Sequence, residues 1–592
     1  MYSCCSRPVR RMLAPRITHR DLLALGGDPS GPGTGRATRP TVRSQNGGVA
    51  TTATADTIFR GGPILTLASP QPTVEAIAIR DGAIVAIGDR ATVQGWQGPS
   101  TTVVELDGRT ALPGFVEPHL HVATTALFAT WIDVTPFTTA SYDATMQKLR
   151  AAVAAARPGD WVTAFGYDST LMTGPPQITR DELDAIAPNN PVFVLHISEH
   201  IAYVNSLALQ AAKLADNTPD PPHGRFLRDA HGRLIGVAEE VTALAPLLAA
   251  MPRPAPPEFL RLATAYLRKC AAAGCTTVND AGTGVMAGVE EAKVYEALAQ
   301  QPGAPVRISC FAIGSLLDQW LKTPGVGPGQ GNERLHWTAM KYWADGSTQG
   351  GTAALRQPYL NASGGETPNY LNYTLDDLLA NVRRAHDLGW QVTVHCNGDA
   401  AVDQALDVFE TVLREAPRAD HRHRIDHCTL ADDAQMERMQ RLGLSPSFLM
   451  NHVYYWGRVL RDDLLGPERA ERLDPAGSAV RLGMPFSLHC DAATTPVGPL
   501  SYVQTAVTRR MRDNGEVLGP AQRVSVDEAL KAVTSYPAWQ LRMDHLVGSL
   551  EVGKRADLVL LDHDPRAVDP TTIGSIQVVE TWLDGQRVGL AS

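Results

Sequence analysis

Two histidines one residue apart, His119 and His121, end the run Gly114-Phe115-Val116-Glu117-Pro118-His119-Leu120-His121. Side chains at i and i+2 of a strand point the same way. The two imidazoles can therefore project together and grip one cation. Alone, such a pair is a weak signal. Three further strand-like runs end in the same kind of donor: His395 after Trp390-Gln391-Val392-Thr393-Val394, His427 after Arg424-Ile425-Asp426, and Asp491 after Phe486-Ser487-Leu488-His489-Cys490. Imidazole and carboxylate together suit zinc and related divalent ions. A lone polar residue closing a strand is usually a solvated cap; five donors closing four strands point to a metal centre.

Something must bring those strand ends together. Eight runs of β character, at 111–121, 276–281, 307–312, 338–345, 391–397, 423–428, 445–451 and 486–491, alternate with helix-like segments. In 257–273, for example, Phe259, Leu262, Ala263, Tyr266, Leu267 and Cys270 recur at helical spacing. Strands alternating with helices imply parallel pairing through crossovers, and eight repeats close a (β/α)8 barrel of the TIM type. The fold class is α/β, and the donors stand at the barrel mouth. Residues 122–275 far exceed the few dozen that one βα unit needs. An insertion at 125–252, with strands at 161–167 and 191–198, is therefore expected after strand one, as a lid over the mouth. Short alternating strands with turns at Asp81-Gly82, Asp107-Gly108 and Asp584-Gly585 recur near both ends. Residues 53–110 and 546–592 are expected to form one small β-sandwich beside a barrel at 111–545. Residues 1–52 read as a disordered or over-extended tail, whose Arg10-Arg11 lacks the apolar core of an export signal.

The whole arrangement resembles the amidohydrolase superfamily, in the branch that includes N-substituted formamide deformylases (the amidohydrolase family 3 type). The resemblance runs from about residue 56 onward. It is carried by Pro113 to His121, by Lys341-Tyr342-Trp343-Ala344-Asp345-Gly346-Ser347, by His395-Cys396-Asn397-Gly398-Asp399, by Asp426-His427, and by Gly553-Lys554-Arg555-Ala556-Asp557-Leu558-Val559. It implies that His119, His121, His395, His427 and Asp491 are metal ligands. It further implies that Lys341 bridges two cations after reaction with carbon dioxide; the alternative is an unmodified lysine paired with Asp345 or with a substrate group. The cofactor is then one or two divalent ions, zinc first among them.

The expected chemistry is hydrolytic. A divalent cation lowers the pKa of its water from about 15.7 to about 7, and the hydroxide attacks a carbonyl or amidine carbon. Asp491 would take the water's proton and pass it to the departing nitrogen. His427, or His452 beyond strand seven, would polarise the carbonyl. His489 would either orient a ligand or fill core. Asp399 and Asp426 could each hold a histidine ring by a hydrogen bond, with an outward role preferred for Asp426. Asp426, next to His427, should point away from the barrel interior by strand alternation. The same rule sends Cys396, Cys428 and Cys490 into the helix layer as core fillers.

Bulk properties fit this reading. The 592 residues are 44% hydrophobic and carry a net charge of -9, without the concentrated basic face a nucleic-acid binder needs. No apolar run reaches the ~18 residues of a membrane helix. Eight cysteines without finger spacing argue for reduced thiols and a cytoplasmic protein. Tyr454, Tyr455 and Trp456 suggest a pocket for an apolar or aromatic small molecule, and a homo-oligomer is compatible. The favoured activity is cleavage of a linear amide, such as an N-substituted formamide or N-acyl compound. Its rivals are deamination of a cyclic amidine on the same scaffold and a metal-free interaction protein.

Overall fold

The computed structural model describes residues 54–221, 224–360 and 371–589; the sequence expectation for 1–52 falls outside them. Eight parallel strands form the central sheet: β1 (Phe115–Leu120), β2 (Cys275–Thr283), β3 (Arg307–Ile313), β4 (Leu335–Trp343), β5 (Gln391–Cys396), β6 (Arg424–His427), β7 (Ser445–Phe448) and β8 (Ser487–Leu488). Each pairs with its neighbours in chain order. β8 is too short to complete a ladder with β1, so the seam closes by other means. Near its start, Val116 and Leu488 donate to the carbonyls of Val533 and Ala532. At the mouth, Asp491 N donates to His119 O and His121 N to Ala492 O. This second pair of bonds joins the ends of the first and last strands where the donors sit.

Helices alternate with the strands as the periodicity predicts. Pro256–Ala272 buries Leu262, Ala263, Tyr266, Leu267 and Cys270, with proline in its first turn, where no N–H is needed. Asp433–Arg441 starts in a capping box between Asp432 and Gln435. Below the polar interior, Val116, Phe311, Ala339, Leu541, Met543 and Val547 form an apolar plug. Gly114 lets β1 approach β2: a Cβ there would lie 2.2 Å from Thr276 Oγ1.

Between β1 and β2 the insertion builds its own six-stranded sheet, ordered Arg225–Arg228, Leu234–Glu239, Ile201–Val204, Val192–His196, Val162–Tyr167 and Ile132–Asp133. Segments from both ends of the chain share one further sheet. In it Thr110–Pro113, read from sequence as the start of β1, instead pairs with Leu558–Leu561. Arg307 at the start of β3 fastens this sheet to the barrel. It is fully buried and forms ion pairs with Asp557, at 2.8 Å, and with Asp584.

Candidate metal centre

His119 Nε2 and His121 Nε2 each lie 3.3 Å from Asp491 Oδ1, and one donor atom of each residue falls within 4.8 Å of the others. Tetrahedral zinc with bonds of about 2.0–2.1 Å separates its ligands by about 3.4 Å. The donor set therefore fits a divalent ion in both chemistry and spacing. His119, His427 and His489 form a second group within the same 4.8 Å limit. His395 packs on His427, ring centroids 4.5 Å apart, but stands outside both groups. Its Nε2 faces Gly346 O at 3.0 Å and Asp345 Oδ1 at 3.6 Å.

The backbone at this mouth is not regular strand. His427, Cys428 and Asp491 have φ of 64°, 52° and 51°, in the left-handed region that non-glycine residues seldom adopt and that clusters at functional sites. That turn corrects the expectation for Asp426. Asp426 shares the inward face with Arg424, two residues earlier, and His427 joins it because its left-handed backbone breaks the alternation. One Asp426 oxygen accepts from Lys341 Nζ and lies 3.3 Å from His119 Nδ1; the other accepts from Arg424 Nε at 2.6 Å. The His119 contact is too poorly aligned for a hydrogen bond, and no other group takes that nitrogen. Lys341 pairs with Asp426 rather than with Asp345.

Electrostatics follow from this packing. Burial would raise Asp426, but Arg424 and Lys341 hold it well below the ordinary carboxylate value. Burial lowers Lys341, opposed by Asp426. Asp491 resists burial in the same way: hydrogen bonds and charge from His119, then His121, hold it well below its usual value. Burial pushes Asp345 up to about 7, against three backbone N–H groups that donate to it, from Asn397, Gly398 and Ala354.

Several further contributors surround the site, and of these only His489 was singled out from the sequence. His489, left between second-sphere and core, donates or accepts at 3.1 Å with His427 and at 2.8 Å with Ser447, and stacks on His119 at 4.7 Å. Its i, i+2 spacing to Asp491 was the available signal. Asp280 of β2 accepts from Val122 N, fixing the chain just beyond His121. Glu117 is buried beneath His119 and pushed by that burial up to about 8. Glu199 and His200 come from the insertion; no local motif marked them. One expectation is corrected here. Asp399 holds no histidine: it accepts from Arg356 N and pairs with Arg472 at 3.0 Å. Among the described residues, no candidate metal group includes a cysteine, and the six described cysteines are free and buried. His452 is buried, 3.4 Å from Thr429 Oγ1 and 3.7 Å from Asp474 Oδ1.

An eight-stranded α/β barrel with a histidine and aspartate cluster at its mouth defines a metal-dependent hydrolase scaffold. Residues 102–589 match the family model described as "Amidohydrolase family", and the chain belongs to that family. It is 27% identical over 543 residues to N-substituted formamide deformylase of Arthrobacter pascens, covering 90% of this chain and 97% of that one. It is 28% identical over 560 residues to Protein LONG AFTER FAR-RED 3 of Arabidopsis thaliana, covering 90% and 91%. Among solved structures, an uncharacterized metal-dependent hydrolase from Pyrococcus horikoshii shares the fold, with a TM-score of 0.68 at 24% identity, covering 87% of this chain and 99% of that one.

Proposed function

We propose that this amidohydrolase cleaves a non-peptide carbon–nitrogen bond in a small molecule, an N-substituted formamide or N-acyl amine. The observation that carries the reading is Asp491 Oδ1 set 3.3 Å from both His119 Nε2 and His121 Nε2 at the barrel mouth. The likeness to a formamide deformylase supports the bond type.

His119, His121, His395, His427 and Asp491 would hold the cation, zinc in this reading. A bound divalent ion supplies an acidified water and a Lewis acid for the scissile carbonyl. Asp491, ionised beside two imidazoles, accepts the attacking water's proton and delivers it to the leaving nitrogen. His427 or His452 polarises the carbonyl. As its carbamate, Lys341 would help to hold a second ion. The amine must be neutral to react with carbon dioxide, and the burial that lowers its pKa favours that form.

Tyr455 meets Phe137 of the insertion with centroids 4.6 Å apart. Trp456, expected beside it, is fully buried and donates its indole N–H to Asp168, so in this reading Tyr455 and Tyr454 alone face an apolar or aromatic substituent. We assign the protein to the cytoplasm on its free thiols, and among the described residues no helix is long and apolar enough to cross a membrane.

The test is a panel of formamides, N-acyl amines and cyclic amidines offered to the zinc-reconstituted protein. Release of amine together with formate or another carboxylate is expected. Ammonia from a heterocycle, with amides untouched, would replace this reading with deamination.

A further inference from the structure

The insertion does more than cover the mouth. Its residues Glu199 and His200 lie between Val192–His196 and Ile201–Val204, where the chain turns beside the barrel. The His200 ring stands 6.4 Å from that of His395, centroid to centroid. Its Nδ1 is 2.8 Å from Glu240 Oε2. Backbone bonding fixes the same pair, since Glu240 N donates to His200 O at 2.7 Å. Glu240 precedes the helix Val241–Ala250 yet gives it no side-chain cap; its carboxylate is committed to His200. Glu199 and Glu240 both hold left-handed backbone, with φ of 62° and 70°, a conformation that costs energy for a residue with a Cβ.

With Nδ1 engaged by a carboxylate, the ring's rotation and tautomer are set and Nε2 is left to the mouth. Among the described residues no hydrogen bond occupies that nitrogen. A plain staple between two strands would need no imidazole facing His395 and no strained residue on either side of the pair.

We propose that His200 is a catalytic residue supplied by the insertion, hydrogen-bonding through Nε2 to the scissile group of a substrate held at the metal centre, with Glu240 as its positioning residue. This rests on the reading of the mouth as a hydrolytic metal centre, and it makes the insertion an integral wall of that centre. Nδ1–H donates to Glu240, so Nε2 of the neutral ring accepts; the bond it accepts from the N–H of the scissile amide orients that amide for attack by water and is lost when the product leaves, and no atom of His200 is consumed.

The experiment uses the full chain reconstituted with zinc, as wild type, His200→Ala, His200→Gln and Glu240→Gln. Zinc stoichiometry and acetohydroxamate affinity are measured by mass spectrometry and calorimetry, alongside steady-state kinetics on the amide panel. His200→Ala should retain zinc, bind acetohydroxamate about 10-fold or more weakly, and lose about 100-fold or more in kcat. Glu240→Gln should keep kcat closer to wild type, raise KM, and shift the pH profile, which a strand staple would not do. His200→Gln, which preserves size, guards against a folding defect in the alanine variant. Equal acetohydroxamate affinity in wild type and both His200 variants would overturn the proposal. A wild type that binds zinc and acetohydroxamate but cleaves no panel member would sink the amide reading instead, and the affinity comparison would still decide the role of His200.

Discussion

Asp426→Asn changes one atom in the middle of the barrel, and its consequences can be worked from the contacts. The carboxylate serves three groups: Arg424, Lys341 and the Nδ1 side of His119. Arg424, Lys341 and Asp426 are each wholly buried. The native set carries two positive charges and one negative; asparagine would leave both cations uncompensated. Removing one partner from a buried pair typically costs about 3–5 kcal/mol. Loss of the Lys341 proton can relieve part of that, since burial already lowers its pKa. The second consequence reaches the metal. The Asp426 charge 3.3 Å from Nδ1 favours the tautomer with its proton there, which leaves the Nε2 lone pair for a metal, and losing such a support typically weakens metal affinity about 10- to 100-fold, or about 1.4–2.8 kcal/mol. The assay is zinc competition against a calibrated chelator, with urea denaturation of the zinc-free protein in parallel. Both midpoint and affinity should fall. A variant with unchanged zinc affinity and an unchanged denaturation midpoint would refute the reasoning, because it would show that Asp426 neither balances the cations nor holds His119.

Further outcomes follow from other contacts. Asp491→Asn should reduce kcat by about 10²–10⁴-fold while leaving the fold intact, checked by steady-state kinetics and circular dichroism; near-normal turnover would remove Asp491 from proton transfer. Tyr455→Ala should raise KM selectively for bulky substituents, and a size series with unchanged KM would reject the aromatic wall. Asp557→Asn should destabilise the junction of terminal sheet and barrel by about 3–5 kcal/mol because Arg307 is fully buried against it; limited proteolysis and denaturation would detect it.

His421 gives a pH effect of definite sign. Burial pushes it down to about 4, and burial holds His423 well below its usual value. His421 Nε2 faces Leu442 O and its Nδ1 accepts from His423 N. That is a neutral ring, whereas the unfolded chain takes the proton near pH 6.5. Between those values the unfolded state binds more protons, so stability falls as pH drops from about 6.5 toward 4. His421→Gln should flatten the dependence of the urea midpoint between pH 7 and 5. An unaltered slope would count against it.

The ligand-bearing strands were legible because their signals are local. A histidine at i and i+2, an apolar run ending in a donor, and helices such as Leu375–Asp387 with Leu378, Val382 and Ala385 buried each repeat within a few residues. Chain order then dictates parallel neighbours, and the barrel follows from eight repeats. What stayed hidden was set by contacts between distant segments. His427 faces inward beside Asp426 because one left-handed residue breaks a two-residue period. Thr110–Pro113 leaves the barrel because Leu558–Leu561, from the other end of the chain, offers it a ladder. Glu199, His200 and Glu240 reach the mouth only because the insertion folds back on itself and packs there. Periodicity along a chain reports which face of an element is buried. It carries no information about which remote segment that face will meet, and at this mouth that meeting decides where the charges stand.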